Sequence, residues 1–470
     1  MTAVLPSTRT ALAGAEAWLV GGAVRDRLLG RATDDVDLVV RGDVEAAARS
    51  VARALGAAAF ELSGAHRAWR VVARRGGAQI DLTALAGDSL EGDLAQRDFT
   101  VNAIAEPLAG GELIDPHGGA EDLASRRLRL VGPDSLRRDP LRVLRLARLA
   151  CELELAPDPS ALACARRWAP ALQEVAAERV FSELKRIVAC PRARAGFELM
   201  EQTGAAEVVL PELVALRGMA QNRYHHLDVH DHTLAVLDAV MALERDPGAM
   251  VGPEHAEAIR SLLAEPLADG LTRGQALRLG ALLHDAAKPL TRAVAAEGRV
   301  VFPGHDARGA ELSVAVLTRL RASERLRTHV ADLARHHLRL GFLVHRRPLS
   351  RREIYRYLHT CQPVEVDVTL LSVADRLATR GDNAPAAIAA HLELARELLG
   401  ECLRWRAGGR PVPVIRGDEL ADALSLAPGP QLGRLLAELA EAQFAGELAD
   451  RGAAIELARR MASSGGGDEH

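Results

Sequence analysis

The stretch from Trp18 to Val40, W-L-V-G-G-A-V-R-D-R-L-L-G-R-A-T-D-D-V-D-L-V-V, decides the fold. Its pattern predicts a short apolar strand over Trp18 to Val20, a turn at Gly21-Gly22 and a helical turn from Ala23 to Leu29. A second strand then runs from Val36 to Val40, with Asp35 and Asp37 at its start. Adjacent glycines put no Cβ between backbone N–H groups and a phosphate, and the helix that follows turns its positive end to the same point. Residues two apart in a strand project from one face, roughly 6.5 Å apart along the chain. Asp35 and Asp37 are therefore candidates to hold Mg²⁺ together, and two ions about 4 Å apart clamp the attacking and leaving oxygens of a phosphoryl transfer. Arg25 can add a guanidinium fork to the phosphates. Alone, a Gly-Gly pair is a turn and a D-x-D pair is a solvated strand end; the information lies in their combination and spacing.

In that combination, G-G-A-V-R-D-x-L-L-G followed by D-x-D-L resembles the head of the class II tRNA nucleotidyltransferases and bacterial poly(A) polymerases, within the polymerase-β-like superfamily. The resemblance implies an α+β fold, in which a small mixed-sheet nucleotidyltransferase head is followed by a mainly α-helical neck, an HD domain and a helical tail. The pattern divides at 1–132, 133–220, 221–394 and 395–470.

At 470 residues the chain is long enough for about three domains, and its 3% aromatic content leaves Leu, Val and Ala to build the cores. Five widely spaced cysteines without a C-x-x-C pair indicate neither a disulfide framework nor a zinc-thiolate site. The first eleven residues lack a signal-peptide pattern, and no apolar run approaches the roughly 18 residues of a membrane span. A cytoplasmic protein without membrane attachment is expected, with the first 15 residues as a loose leader. The net charge of −4 is unevenly spread: Leu123 to Arg194 holds 15 Arg or Lys against 8 Asp or Glu, enough positive charge to follow a phosphate backbone. Arginine is used throughout, however, and the only lysines are Lys185 and Lys288, so no single arginine is diagnostic.

Further along, Val44 to Leu55 has helical periodicity, and Trp69 to Ala73 and Gln79 to Leu82 read as strands around a turn at Arg74 to Gly77. Asp81 is either a third carboxylate near the metals or a solvated strand residue. Arg97-Asp98-Phe99-Thr100-Val101-Asn102-Ala103 resembles the family motif R-D-F-T-x-N-A. The resemblance implies that Arg97 contacts the nucleotide, Asp98 braces the site and Asn102 lies on its wall, whereas local physics alone makes Asp98 or Thr100 a helix cap. In Arg138-Asp139-Pro140-Leu141-Arg142, Asp139 is expected as N-cap with Pro140 at the first helical position. Arg142, Arg145 and Arg148 then recur every three residues along the helix. This run resembles the family's D-P-L-R motif, which implies that Asp139 and Arg142 read the Watson-Crick edge of the incoming base; Arg138 stands where the family has Glu. Arg145 and Arg148 extend the set of candidate nucleotide-binding residues. Arg179 and Glu183, in an E-R-x-x-x-E-L match, are spaced for an i, i+4 pair that supports the neck.

From about Tyr224, histidines appear in order: His232, His284-Asp285, His305, His336-His337, then Asp375 in V-A-D-R. The ordered set H, HD, D resembles the HD metal-dependent phosphohydrolase domain. It implies His232, His284, Asp285 and Asp375 as ligands of a divalent transition metal or Mg²⁺, with His305 and His336 adding a second metal or a proton donor. After residue 395 an Ala/Leu-rich helical pattern is broken at Gly408-Gly409 and Pro428-Gly429-Pro430 and ends in a Gly-rich polar tail expected to be disordered.

The whole pattern implies an enzyme, monomer or homodimer, that adds nucleotides to the tRNA 3′ end from CTP and ATP. A poly(A) polymerase, an HD phosphohydrolase whose head only grips RNA, and a non-catalytic RNA-binding module are the rival expectations. The segment Thr83 to Gln96 between the last head strand and Arg97 is short and has no arginine. The resemblance implies that CCA-adding members usually carry a flexible, often basic loop there that acts as a lever when the pocket is reshaped from C to A. C addition with weak or absent A addition is therefore expected, with full CCA synthesis as the alternative.

Overall fold

The computed structural model describes residues 4–32, 35–63, 67–72, 79–221, 226–380, 384–409 and 411–464. The expected turn at Arg74 to Gly77, Tyr224, the tail from residue 465 and the side chain of Asp35 lie outside that description. The chain forms two compact units, Met1–Pro211 and Glu212–His470.

In the first unit, β1 (Ala17–Val20), α2 (Gly22–Leu28) and β2 (Asp35–Val40) follow the expected strand, turn, helix, strand order. Before them, α1 (Leu5–Ala11) replaces the loose leader. Val4, Thr8 and Leu12 recur every four residues and are all buried, so α1 presents one stripe inward and packs on α3 (Val44–Leu55). Asp43 caps α3 by accepting the Ala46 N–H at 3.0 Å. The sheet also includes β3 (Ala58–Ser63), β4 (Ala68–Val72), β5 (Gln79–Ala84) and β6 (Ala105–Pro107), in the order β3-β4-β5-β2-β1-β6. Only β2 and β5 run parallel; the other pairs are antiparallel, which makes the sheet mixed.

Alternation along β2 sends Val36, Leu38 and Val40 to one face and Asp37 and Val39 to the other. Val39 packs with Val20, Ala103, Leu90 and Leu94. The last two belong to α4 (Leu90–Leu94), into which the short segment after β5 folds. Ser89 caps α4 by accepting the Gly92 N–H, and the Asp93 carboxylate accepts the Ala86 N–H at 3.1 Å. Thus the segment is a packed, capped turn of helix.

Next come α5 (Gly119–Ala124), α6 (Ser135–Arg138) and α7 (Arg142–Leu153). Asp139 is not the N-cap of the long helix. Proline disfavours helical geometry in the residue before it, and Asp139 is extended at φ −147°, ψ 100°, ending α6. Its carboxylate accepts the Leu141 N–H at 3.2 Å, and α7 starts two residues later than the pattern suggests. Val143, Leu144, Leu146, Ala147 and Leu149 bury the inner face of α7 against the helices Ala177–Ala189 and Ala193–Thr203.

The second unit is helical. Val229–Arg245, Arg273–Leu283, Glu324–His336 and Glu365–Ala378 pack on one another, and a buried Arg273–Asp367 pair at 2.8 Å joins two of them. The helix Ala384–Arg404 is continuous through residue 395 and is followed by a π-helical turn, Trp405–Gly409, that is broken at Gly408, whose φ is +99°. Helices Gly417–Leu424, Pro430–Phe444 and Arg451–Ser464 close around Ile415, Leu420, Leu432, Leu435, Leu439 and Ala454. Among the described residues no helix is long and apolar enough to cross a membrane.

Candidate functional site

A cavity of about 410 Å³ in the first unit is lined by Gly21, Gly22, Arg25, Asp37, Arg97, Asp98, Asn102, Asp139, Arg142, Arg145, Arg148 and Arg179. Of the described side chains it brings together Arg25, Asp37, Arg97, Asp98 and Asn102 of the head, but not Asp81. Gly21 has φ +64°, and a Cβ there would meet Arg97 Nη1 at 3.0 Å and Asp37 Oδ2 at 3.7 Å. Only glycine lets the turn pass between a guanidinium and a carboxylate this closely.

The polar wall is one connected chain. Arg25 donates to Asn102 Oδ1 at 2.6 Å and to Asp26 at 2.8 Å. Asn102 Nδ2 donates to Asp98 Oδ1 at 2.9 Å, and Asp98 Oδ2 accepts from Arg145 at 2.8 Å. Arg145 also lies 3.5 Å from Glu183, which accepts from Arg148 at 2.6 Å. Burial alone would raise the Asp98 carboxyl, but the Arg145 charge and the hydrogen bonds from Asn102, Arg145 and the Phe99 N–H outweigh it. The carboxyl is held well below the usual carboxylate range. Asp98 in turn pushes Arg145 above its ordinary value against the opposing effect of burial. Asp98 caps no α-helix: Thr100–Asn102 is a single 3₁₀ turn, and the Thr100 hydroxyl is bound to Asp122 at 2.6 Å.

The three α7 arginines have separate surroundings. Arg142 donates to the carbonyls of Gln96 (2.9 Å) and Arg97 (3.2 Å) and to Ser135, and burial lowers its pKa. Arg145 faces Asp98, and Arg148, 3% exposed, is locked between Glu183 and Glu152. Arg179 and Glu183 do not pair with each other. Arg179 reaches Asp139 at 2.8 Å while Glu183 serves α7, because the two residues meet different partners across the packed helices. Asp81 lies beside Asp37 in the parallel register but is gripped by Arg70 at 2.7 and 2.8 Å, so it is neither a free third carboxylate nor a lone solvated one. Sequence reasoning missed Asp93, which accepts from Arg97 at 3.2 Å, and Arg186 on the cavity rim; the i, i+4 spacing of Asp93 and Arg97 was the available signal.

In the second unit His232, His284 and Asp375 form one trio of potential ligand atoms, and Asp285, His305 and His337 a second, each trio within 4.8 Å. His232 Nε2 is 3.0 Å from Asp375, and His284 Nε2 is 3.2 Å from Asp285. The Nδ1 atoms of His284, His305 and His337 lie 2.8, 2.7 and 2.7 Å from the carbonyls of Ala281, Phe302 and Ala334. A carbonyl only accepts, so each Nδ1 carries a proton, and in the neutral ring each Nε2 keeps a lone pair for a ligand. Neither His284 Nε2 nor His305 Nε2, both buried, makes a hydrogen bond. This donor set fits divalent ions, whose cofactor class the residues support without fixing the element. Burial opposes a charged His284, yet Asp285 and Asp375 raise it; the neighbouring imidazoles and Lys288 hold Asp285 well below the carboxylate range despite its burial. His336 is not in the cluster. It ends its helix and accepts from Arg339 at 3.0 Å, while the next residue, His337, points inward. Lys288, three residues after Asp285 and 2.7 Å from it, was also missed.

Three family models match the chain. The family model for the poly A polymerase head domain matches residues 17–129, that for the probable RNA and SrmB-binding site of polymerase A matches 155–216, and the HD domain matches 229–380. The A-adding tRNA nucleotidyltransferase of Deinococcus radiodurans is 36% identical over 445 residues, covering 92% of each chain. The CC-adding tRNA nucleotidyltransferase of Thermus thermophilus is also 36% identical, over 92% of this chain and 91% of its own. A solved CCA-adding enzyme in complex with CTP has the same fold, with a TM-score of 0.65 at 16% identity, over 97% of this chain and 94% of its own. With its nucleotidyltransferase head, RNA-binding segment and HD domain in that order, the chain is an enzyme of the tRNA nucleotidyltransferase family.

Proposed function

We propose that this enzyme adds C from CTP to the 3′ end of tRNA, with ATP a weak substrate. The observation that carries the reading is the single connected wall Arg25–Asn102–Asp98–Arg145 around a cavity that also contains Asp37 and the Gly21-Gly22 turn. Asp35 and Asp37 would hold Mg²⁺, which when bound supplies charge neutralisation at the transferred phosphate. Gly21, Gly22, Arg25 and Arg97 hold the triphosphate. The terminal ribose 3′-hydroxyl attacks the α-phosphate, its oxygen forms the new ester bond, and pyrophosphate leaves with no covalent enzyme intermediate. Asp139 and Arg142 select the base by accepting from its exocyclic amine and donating to its ring. Arg142 is steadied for this by two main-chain carbonyls; Asp139 must exchange Arg179 for the base.

The capped helix α4 supports C over A addition, since a packed helix is poorly suited to act as a lever between two pocket states. The equal identity to an A-adding relative favours a second reading, A addition to a tRNA ending in CC. Transcripts ending before C, CC and A, each offered single nucleotides and then sequenced, separate the two. C added to the shortest transcript with little A on the CC end supports the first; efficient single-A extension of the CC end with no C addition overturns it.

The second unit is proposed as a phosphohydrolase centre, with His232, His284, Asp285, Asp375, His305 and His337 holding a divalent transition metal or Mg²⁺. Substituting His284 and Asp285 is expected to remove hydrolysis and keep nucleotide addition. As a tRNA-processing enzyme it would work in the cytoplasm, and its head, neck, HD and tail modules would follow the divisions near 132, 220 and 394.

A further inference from the structure

A second cavity, of about 440 Å³, shares His337 and Asp375 with the histidine cluster and is otherwise lined by Arg376, His345, Leu338 and Val344 among others. Arg376 is half-buried, and its Nε is buried without a hydrogen-bond partner. Among the described residues no carboxylate pairs with it. Several other arginines of the same unit are held by carboxylates: Arg347 by Glu393 and Glu397, Arg351 by Glu401, and Arg352 and Arg356 by Glu441. A guanidinium that is partly desolvated and left without an anion costs free energy that a ligand anion would recover. Its neighbour in sequence is Asp375, so an anion held by Arg376 lies at the edge of the metal-ligating cluster.

We propose that Arg376 grips the non-bridging oxygens of a phosphate monoester, and that this cavity houses the ester's organic group against Leu338 and Val344. The inference rests on the reading of the second unit as a hydrolase and adds its substrate-binding residue. In the reaction, water adds to phosphorus and the ester P–O bond breaks. The alcohol leaves with a proton from water, and inorganic phosphate is released. Arg376 binds substrate and product alike, and its planar fork matches phosphate geometry.

The test uses the full chain. Phenylglyoxal modification of Arg376, mapped by peptide mass spectrometry, is followed with and without inorganic phosphate, in metal-free and Mn²⁺-loaded protein. Phosphate is expected to slow modification of Arg376 in both. Arg376→Ala is expected to raise KM for p-nitrophenyl phosphate about ten-fold, the loss of one charge-assisted contact, with Mn²⁺ affinity unchanged. Arg376→Lys should recover part of the loss. Modification indifferent to phosphate, or an unchanged KM in Arg376→Ala, overturns the proposal. Failure of the hydrolase reading shows differently: the His284→Ala variant would hydrolyse as well as wild type, or the wild type not at all, while phosphate protection of metal-free Arg376 still decides whether the anion site exists.

Discussion

Asp98 holds the wall of the head cavity together, since Asn102, Arg145 and the Phe99 N–H all converge on its carboxylate. Replacing it by Asn leaves Arg145 with a buried side and no full counter-charge there. The expected cost is about 3–5 kcal/mol, measured by urea unfolding. The pH dependence has a definite sign. The folded carboxyl titrates below its unfolded value, so its contribution is complete above the ordinary carboxylate range and is lost as pH falls through the lower folded value. The stability gap between wild type and Asp98→Asn should therefore be constant above about pH 5 and narrow below about pH 4. A gap that widens on acidification would contradict this account. At this scale the sequence was partly legible: the four-residue spacing of Asp98 and Asn102 matched a motif, but local rules equally made Asp98 a cap. His337 was harder, because two adjacent histidines at a helix end point in different directions and only the packing decides which enters the cluster.

Helix α5 meets the Thr100–Asn102 turn at Gly119, where a Cβ would lie 2.1 Å from the Thr100 carbonyl oxygen and 2.9 Å from Ile104 Cγ1. The obstacle is main chain and cannot rotate away. Gly119→Ala is expected to destabilise the first unit by at least the 1–3 kcal/mol typical of overpacking, and to displace Asn102 from Arg25. Nucleotide addition should fall more than the thermal midpoint alone explains; a variant with wild-type kcat and KM would show that the contact is relieved elsewhere. Elements with strong local signals, such as α3 and the β2 strand, were plain in the sequence. The β3 edge strand was not, because its alternating part is only Phe60 to Ser63, and the large apolar residues of that alternation, Phe60 and Leu62, face solvent rather than a core. Helix α1 escaped notice because its stripe is only three residues deep, and α7 began late because Pro140 reshapes the residue before it.

Over the whole chain, the order of the motifs carried the architecture, and the second unit's chemistry depends on residues from helices far apart in sequence. His232, His284, His305, His337 and Asp375 gather only because their helices pack, so metal binding should stabilise the folded state and have little hold on the unfolded one. Mn²⁺ at about 100 times its dissociation constant should add about 2.7 kcal/mol, seen as a raised thermal midpoint that chelation reverses. His284→Ala should lose that rise. An equal rise in the variant would move the ion elsewhere. The β2 strand has a different consequence for the first unit. With β5 on one side and β1 on the other it has no free edge, whereas β3 closes one side of the sheet with two large apolar groups in water. Under native conditions, amides of Val36 to Val40 should exchange with deuterium only at the rate of global opening, while those of β3 exchange through local fraying. The strand that carries Asp37 would then keep its shape until the unit unfolds as a whole, and heat should abolish nucleotide addition in step with that unfolding and not before it.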